Sequence, residues 1–591
     1  MTFAFLSRLF CDFIHLYGIV SLFLYPEIDV LYVFHLLFLK KYGILLPRNL
    51  KGGFAMPTQS PVILTAAMMQ VCDRYTIDTL GIPSQVLMES AAQGVGRFLL
   101  ERTDLFPTGS VLVLCGSGNN GGDGFALARF LSDGTFGTSY NVTILYAGRT
   151  TANGFPDTDR MSTECARQYR LACDKALKIW SVSEMEEALS EATCVIDAIF
   201  GIGLDRPITG DIATILHSVK SSGLPILAVD IPSGIDANSG KILGTALPAQ
   251  ATVTMQALKA GLLLYPGADL CGEIWVCPLG ISLAPISKPL GYAADASLLH
   301  RVLAPRKRRS HKGTYGKLSL LCGSASMCGA AVLATKAALR SGIGLAHVLT
   351  DPSNRSILQS AVPEAIVSVY GSPSEAVSHA QGDGLVLGCG LSTAEDAQEI
   401  LRAILNAHKE KLPTVMDADA LNILANDPSL WKTALLSSPD KQVVITPHPA
   451  EMARLCRCSV QEILQNLPET ALAFAQKHGI TVVLKDAHTV IASPDGSCFV
   501  CTAGNAGMAK GGSGDVLAGL MGSLLVQCRN RLEGELTVAE VAAASVYLHA
   551  AAGDLAACDL GEYGMLPSDL IDRIPLVCRD CSDTRTRIFF E

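Results

Sequence analysis

Between Ser110 and Gln256, five short runs dense in apolar residues, SVLVLCG, NVTILYAG, TCVIDAIFG, PILAVDIPSG and ATVTMQ, alternate with stretches of helical character. Buried strands separated by helices can pair only by crossing over, which gives a parallel sheet covered on both faces. A second set, KLSLLCGSA, GLAHVLT, GLVLGCG, PTVMDADAL, QVVITPHPAEM and ITVVLKDAHTVI, begins after the stretch around Pro285 and Pro289. At 591 residues the chain exceeds what one hydrophobic core supports, so two domains are expected. No short repeat relates the halves, which makes them two different sheets in tandem. The expected fold is α/β, with a doubly wound domain over residues 56–284, a linker at about residues 282–300, and a second α/β domain over 285–591. Upstream of the first strand run, the segment from Leu64 carries apolar residues at three- and four-residue spacing and reads as helix.

Composition removes several classes of function. A net charge of -9 without a long run of like charge excludes the basic footprint of a nucleic-acid binder. The short run Arg306-Lys307-Arg308-Arg309 reads as solvated linker, with a phosphate-facing role as the alternative. Nineteen cysteines are scattered rather than framed, and Cys578 and Cys581 form a CxxC with no second pair at zinc spacing; reduced thiols and a cytoplasmic setting follow. The first 55 residues are rich in Phe, Leu and Tyr, but Asp12, Glu27 and Asp29 break them into pieces too short to span a bilayer. No clear signal-peptide pattern is present, and the favoured reading takes Met56 as the true start.

The segment VLVLCGSGNNGGDGFALARFL is a strand, a glycine turn and a helix opening at about Gly122. Free N–H groups at such a helix start attract phosphate, and glycines let a ligand approach the backbone. Gly116, Gly118 and Gly121 satisfy G-x-G-x-x-G, a weak signal that Asn119, Asn120 and Asp123 make more specific. Asp197 and Asp230 end two further strands, and in doubly wound sheets ligands bind outside the carboxyl ends of strands. Each acid alone could be a plain cap or turn residue; together they favour one crevice.

GSGNNGGDG, DAIFGIGLDRP and VDIPSG resemble the signature segments of the NAD(P)H-hydrate epimerase family over roughly residues 60–280. The resemblance implies a Rossmann-like domain in which Asn119, Asn120, Gly121, Gly122 and Asp123, with Gly201, Ile202, Gly203, Leu204, Asp205, Arg206 and Pro207, bind the dinucleotide. It also implies Asp230 as the acid/base at the epimerised carbon, and a potassium ion held by Asn120, Asp197 and Ser233, hard oxygen donors suited to an alkali cation.

Near the C-terminus, NAGMAKGGSGDVLAGLMGSLL places Gly511, Gly512 and Gly514 ahead of Asp515 and a small-residue helix. This is similar to the closing motif of ribokinase-like kinases, a glycine turn that stabilises a transferring phosphoryl group with an acid beside it. Together with HKGTYGKLSLLCGSASMCGAAVLATKAALRSGIGL, LGCGL, VMDADALN, ITPHPAEMARL and VVLKDAHTVI it resembles the ADP- or ATP-dependent NAD(P)H-hydrate dehydratases over roughly residues 300–575. Ser326 and Cys328 depart from that pattern, where glycine and proline are more usual. By this resemblance Asp515 takes the proton of the C6 hydroxyl during its phosphorylation. Ala330, Gly390, His448 and Asp515 line the substrate site, while Lys485, Asp486, Ala487, His488, Thr489 and Gly514 hold the nucleotide. Asp417, Asp419 and Asn422 are candidates for orienting the phosphates or a magnesium ion. His448, between two prolines, reads as a binding contact, and Lys485, ending an apolar strand, has a snorkelling edge lysine as its alternative.

The joint resemblance implies a bifunctional repair enzyme, an isomerase fused to a lyase, acting on hydrated NADH and NADPH with ADP or ATP. A bacterial type using ADP is implied, although GGSGD itself does not separate the two nucleotides. A small-molecule kinase would leave the NNGGDG domain unexplained, and a non-catalytic scaffold would not need Asp230 and the full cation set. A homo-oligomer is expected, since tandem α/β proteins are often symmetric assemblies.

Overall fold

The computed structural model of the chain describes residues 60–138, 140–407, 412–430, 442–532 and 534–582. The readings of the first 55 residues and of Met56 lie outside them. Strand β1 (Val62–Leu64) comes first, and Thr65 then caps the helix Ala66–Arg74 by accepting from the Met68 N–H at 3.2 Å. The helical segment expected from Leu64 is therefore preceded by a strand.

Seven parallel strands build the first sheet: β2 (Ser110–Cys115), β3 (Asn141–Tyr146), β4 (Lys178–Trp180), β5 (Cys194–Ala198), β6 (Ile226–Val229), β7 (Ala251–Met255) and, after β8 (Leu258–Lys259), β9 (Glu273–Cys277). Their order, β4-β3-β2-β5-β6-β7-β9, reverses between β2 and β5, which opens a crevice at the carboxyl ends of those two strands. Apolar side chains on one face pack on the helices Ser84–Glu101 and Asn119–Ser132, and those on the other pack on the helix Gly210–Ser222.

The second sheet has twelve strands and is mixed rather than purely parallel. After β10 (Gly291–Ala293) come β11 (Lys317–Leu321), β12 (Leu345–Thr350), β13 (Ile366–Val369), β14 (Gly384–Leu387), β15 (Thr414–Met416), β16 (Val443–Ile445), β17 (Thr481–Leu484), β18 (Thr489–Ala492) and β19 (Cys498–Cys501). The order β13-β12-β11-β14-β15-β16-β17 is parallel with its switch point between β11 and β14, and β18 and β19 turn back antiparallel. The run ITVVLKDAHTVI is thus a hairpin, β17 to β18, folded at Lys485–His488.

Two short elements of the first region complete this sheet. β10 pairs with β19 on one side and β1 on the other, and β8 pairs with β1 at the edge. The stretch read as linker therefore carries a strand, followed by the helix Ala296–Val302 capped by Asp295. The basic run 306–309 is exposed, with the Arg306 guanidinium 4.0 Å over the Tyr315 ring. Among the described residues, one helix, Val538–Gly564, is long and apolar enough to cross a membrane; 67% of its most apolar window is buried, as befits a core helix.

Candidate active sites

The first crevice is built by glycines that permit contacts no β-carbon would. A β-carbon on Gly121 would lie 1.9 Å from the Gly116 carbonyl oxygen, and one on Gly116 would lie 2.1 Å from that of Ile199. With Gly118 extended at its N-cap, the helix opens at Asn119, earlier than the expected Gly122. Asn119 is exposed, whereas both amide atoms of Asn120 are buried without a hydrogen-bond partner among the described residues.

Asp197, fully buried at the end of β5, accepts the Ser233 hydroxyl at 2.6 Å and the Ser233 N–H at 2.7 Å. Burial pushes its carboxyl up to about 6 against those bonds. The unpartnered Asn120 amide, this acid and the Ser233 hydroxyl are all hard oxygen donors, a set that fits an alkali cation.

Asp230 follows β6 with φ of 67°, a left-handed conformation costly for a residue with a side chain. A β-carbon on Gly201 would sit 3.2 Å from Asp230 Oδ2 and 3.4 Å from Asn120 Cγ, so Gly201, Asn120 and Asp230 meet. Leu204 is buried, while Gly203, Asp205, Arg206 and Pro207 lie on an exposed loop and Ile202 packs toward the core. Burial, then Asp230 and Asp73, hold the Asp123 carboxyl well above its usual range. Burial likewise raises Asp73 to about 6, with Lys259 opposing. Sequence reasoning missed Asp73 and the fully buried Lys259; the only signal was a lysine interrupting the apolar segment ALKAGLLL.

The second crevice opens at the β11/β14 switch point. A β-carbon on Gly390 would lie 2.8 Å from that of Ala330, which places those two expected contacts together. Asp515 sits in the first turn of the helix Ser513–Cys528, and its carboxylate, that of Asp417 and the Cys389 thiol lie within 4.8 Å of one another. Burial and then Asp417 push Asp515 up to about 6.

Lys485 is no edge lysine: its ammonium donates to Asp417 Oδ1 at 2.8 Å, and Thr446 Oγ1 donates to the same oxygen at 2.7 Å. Burial works to lower its pKa, but Asp417 and Glu451 outweigh it and raise the value. A β-carbon on Gly514 would be 3.3 Å from that ammonium, so Lys485, Gly514, Asp417 and Asp515 share one site. Asp419 accepts the Ser392 N–H at 2.7 Å and Asn422 Nδ2 at 3.4 Å.

His448 caps the helix Pro449–Cys456, its Nδ1 accepting the Ala450 N–H at 3.2 Å, and burial lowers its pKa. His488 turns toward the first region: Nδ1 donates to the Leu263 carbonyl at 2.8 Å, and the ring lies 4.9 Å from that of Tyr265. Asp486 and His488 line a cavity together with Leu263 and Tyr265, Ala487 is exposed, and Thr489 Oγ1 donates to the Asp486 carbonyl at 3.4 Å. Thr446, Glu451 and Cys389 joined this cluster without being expected, since only the fold brings those strand ends together.

Two doubly wound α/β units, each with buried acids beside a glycine turn at its switch point, define a two-site enzyme of nucleotide-like substrates. The family profile described as YjeF-related protein N-terminus matches residues 84–261, and that described as NAD(P)H-hydrate dehydratase matches residues 318–576. The bifunctional NAD(P)H-hydrate repair enzyme Nnr of Moorella thermoacetica is 34% identical over 88% of this chain and 97% of its own. That of Escherichia coli is 35% identical over 85% and 91%. The chain belongs to the family of bifunctional NAD(P)H-hydrate repair enzymes.

Among solved structures, the ADP/ATP-dependent NAD(P)H-hydrate dehydratase of Bacillus subtilis, co-crystallised with ATP and magnesium, is 30% identical, with a TM-score of 0.43 over 49% of this chain and 98% of that one. A ribokinase-like superfamily protein of Enterococcus faecalis is 30% identical, with a TM-score of 0.42 over 49% and 95%.

Proposed function

We propose that residues 56–284 interconvert the R and S forms of hydrated NADH and NADPH. On the same reading, residues 285–591 dehydrate the S form at the expense of ADP, giving AMP and phosphate, or of ATP. The observation that carries it is the pair of separate acid clusters, Asp230 with Asp123 and Asp515 with Asp417, each beside a glycine turn of one chain.

In the first site the helix start at Asn119–Asp123 and the loop Gly201–Pro207 receive the dinucleotide, and Asp230 exchanges a proton with the hydrated carbon's substituents. That proton transfer accompanies opening of the ring or loss of water at the hydrated carbon, and the broken bond re-forms on the opposite face; the two epimers have one composition, so no further co-reactant is consumed. Asn120, Asp197 and Ser233 would hold a potassium ion, which when bound supplies a fixed positive charge beside the site.

In the second site Asp515 accepts the hydroxyl proton as that oxygen takes the phosphoryl group. Loss of phosphate and of a ring proton then restores the reduced nicotinamide. Ala330, Gly390 and His448 line the substrate, and Lys485 to Thr489 with Gly514 hold the nucleotide. Asp417, Asp419 and Asn422 would orient the phosphates or a magnesium ion, which neutralises charge on the phosphates when bound. Only one epimer can be dehydrated, so the first activity drains the mixture through the second. Buried free thiols support a cytosolic setting, and the reading includes a homo-oligomer, checked by sedimentation.

The test is regained absorbance of the reduced ring from mixed epimers of hydrated NADH with ADP or ATP, magnesium and potassium. Full recovery from both epimers is expected, with Asp230→Asn leaving one epimer at the spontaneous rate. No recovery with either nucleotide overturns the reading in favour of a small-molecule kinase.

A further inference from the structure

Asp230 divides its two carboxylate oxygens between different surroundings. Every hydrogen bond found on it among the described residues falls on Oδ1: from Lys259 Nζ at 2.6 Å, Thr254 Oγ1 at 3.2 Å and the Met255 N–H at 3.2 Å. Oδ2 instead faces Gly201 and the Asn120 side chain, on the side of the glycine turn. Lys259 is itself fully spent. Its ammonium donates to Asp230 Oδ1, to Thr254 Oγ1 at 3.0 Å and to the Met255 carbonyl at 2.7 Å, which uses all three of its N–H groups, and its side chain is 1% exposed.

A lysine so enclosed has no direct route to a ligand. Its location is also unusual, because its backbone belongs to β8, at the edge of the second sheet, while its side chain reaches the acid of the first. Burying an ammonium is costly unless it is paired, so this strand end is built around the pair.

We infer that Lys259 is the positioning residue of the epimerisation site: it pins Asp230 through Oδ1, in a left-handed backbone conformation, so that Oδ2 alone is presented to the substrate. Two features support a role beyond packing. Asp73 and Asp123 crowd the same pocket, and Lys259 supplies positive charge that pairs with Asp230 and opposes the rise of Asp73. The charge-assisted bond at 2.6 Å is also the shortest of the three on Oδ1, so it is the main hold on the carboxylate's rotation beside the two at 3.2 Å from Thr254 and Met255.

The inference rests on the proposed epimerase reading, and the experiment separates the two. Epimer interconversion is followed by chromatography without nucleotide, and dehydration of the pure S epimer is followed in the same preparations. Lys259→Met should lower kcat for interconversion by about a hundredfold or more with KM changed less than about threefold, and leave the dehydration rate intact. Lys259→Ala should be equally slow and recover in a saturable way with propylammonium, while Asp230→Asn should not recover. A Lys259→Met enzyme within threefold of the wild-type kcat overturns the role, as does joint loss of both activities without amine rescue, which marks a purely structural lysine. A wild-type protein that does not interconvert the epimers overturns the underlying reading instead, and this role with it.

Discussion

Gly121 and Asp515 each carry their site through a single feature. Because a β-carbon at Gly121 would sit 1.9 Å from the Gly116 carbonyl, Gly121→Ala must push the helix start away from β2. Epimerisation should fall at least tenfold while dehydration persists, and a variant with normal interconversion would show that the turn tolerates opening. Asp515 is held at about 6 by burial and by Asp417. A base works only when ionised, so the dehydration rate should climb as pH rises through about 6 and level off above it. Asp515→Asn should remove about three orders of magnitude at neutral pH. A rate independent of pH between 5 and 7 would mean that another group takes the proton.

At the scale of elements, the helix Val538–Gly564 brings His549 against the start of the helix Ser513–Cys528, where Ser513 backbone bonds to the ring. Burial lowers its pKa from 6.5 to about 4. Between those values the unfolded chain binds the extra proton, so the stability this histidine contributes is whole above pH 6.5 and is lost as pH falls toward 4, on the order of 3 kcal/mol. His347, also near 4 by burial, adds in the same direction. Asp73, Asp197 and Asp515, raised to about 6, act in the opposite sense over part of this window, so the histidine is read from a difference: the melting temperature of His549→Gln relative to the wild type should rise as pH falls from 6.5 toward 4, and a difference independent of pH would remove His549 from the account. The strand, glycine turn and helix units were legible in the chain because their signals are local, as VLVLCGSGNNGGDG shows. β1 was not, because three residues carry no period and its partners lie at Leu258–Lys259 and Gly291–Tyr292. Lys259 escaped for the same reason: its meaning depends on Asp230 and Thr254, which the fold alone places beside it. Lys485 was expected at the nucleotide, yet its pairing with Asp417 across 68 residues could not be read from a strand end, and His488 went to the contact with Leu263.

At the scale of the molecule, the two domains are less separable than tandem motifs suggest. One apolar cluster contains Ile63, Ile231 and Leu258 together with Leu321, Leu387 and Val482, and the second sheet is completed by β1 and β8. Domains with independent cores melt independently, whereas units sharing a core and a sheet unfold together. Calorimetry should therefore show one transition, with interconversion and dehydration lost at the same temperature. Ile63 is the place to test this, since it is 2% exposed and its backbone pairs with both Leu258 and Gly291. Ile63→Ala should cost about 2–4 kcal/mol and lower the loss temperature of both activities together, although it lies far from either set of catalytic acids in sequence. If the variant shifted interconversion alone, or if the wild-type melt split into two separated transitions, the shared core would be a contact between independent domains rather than a common one.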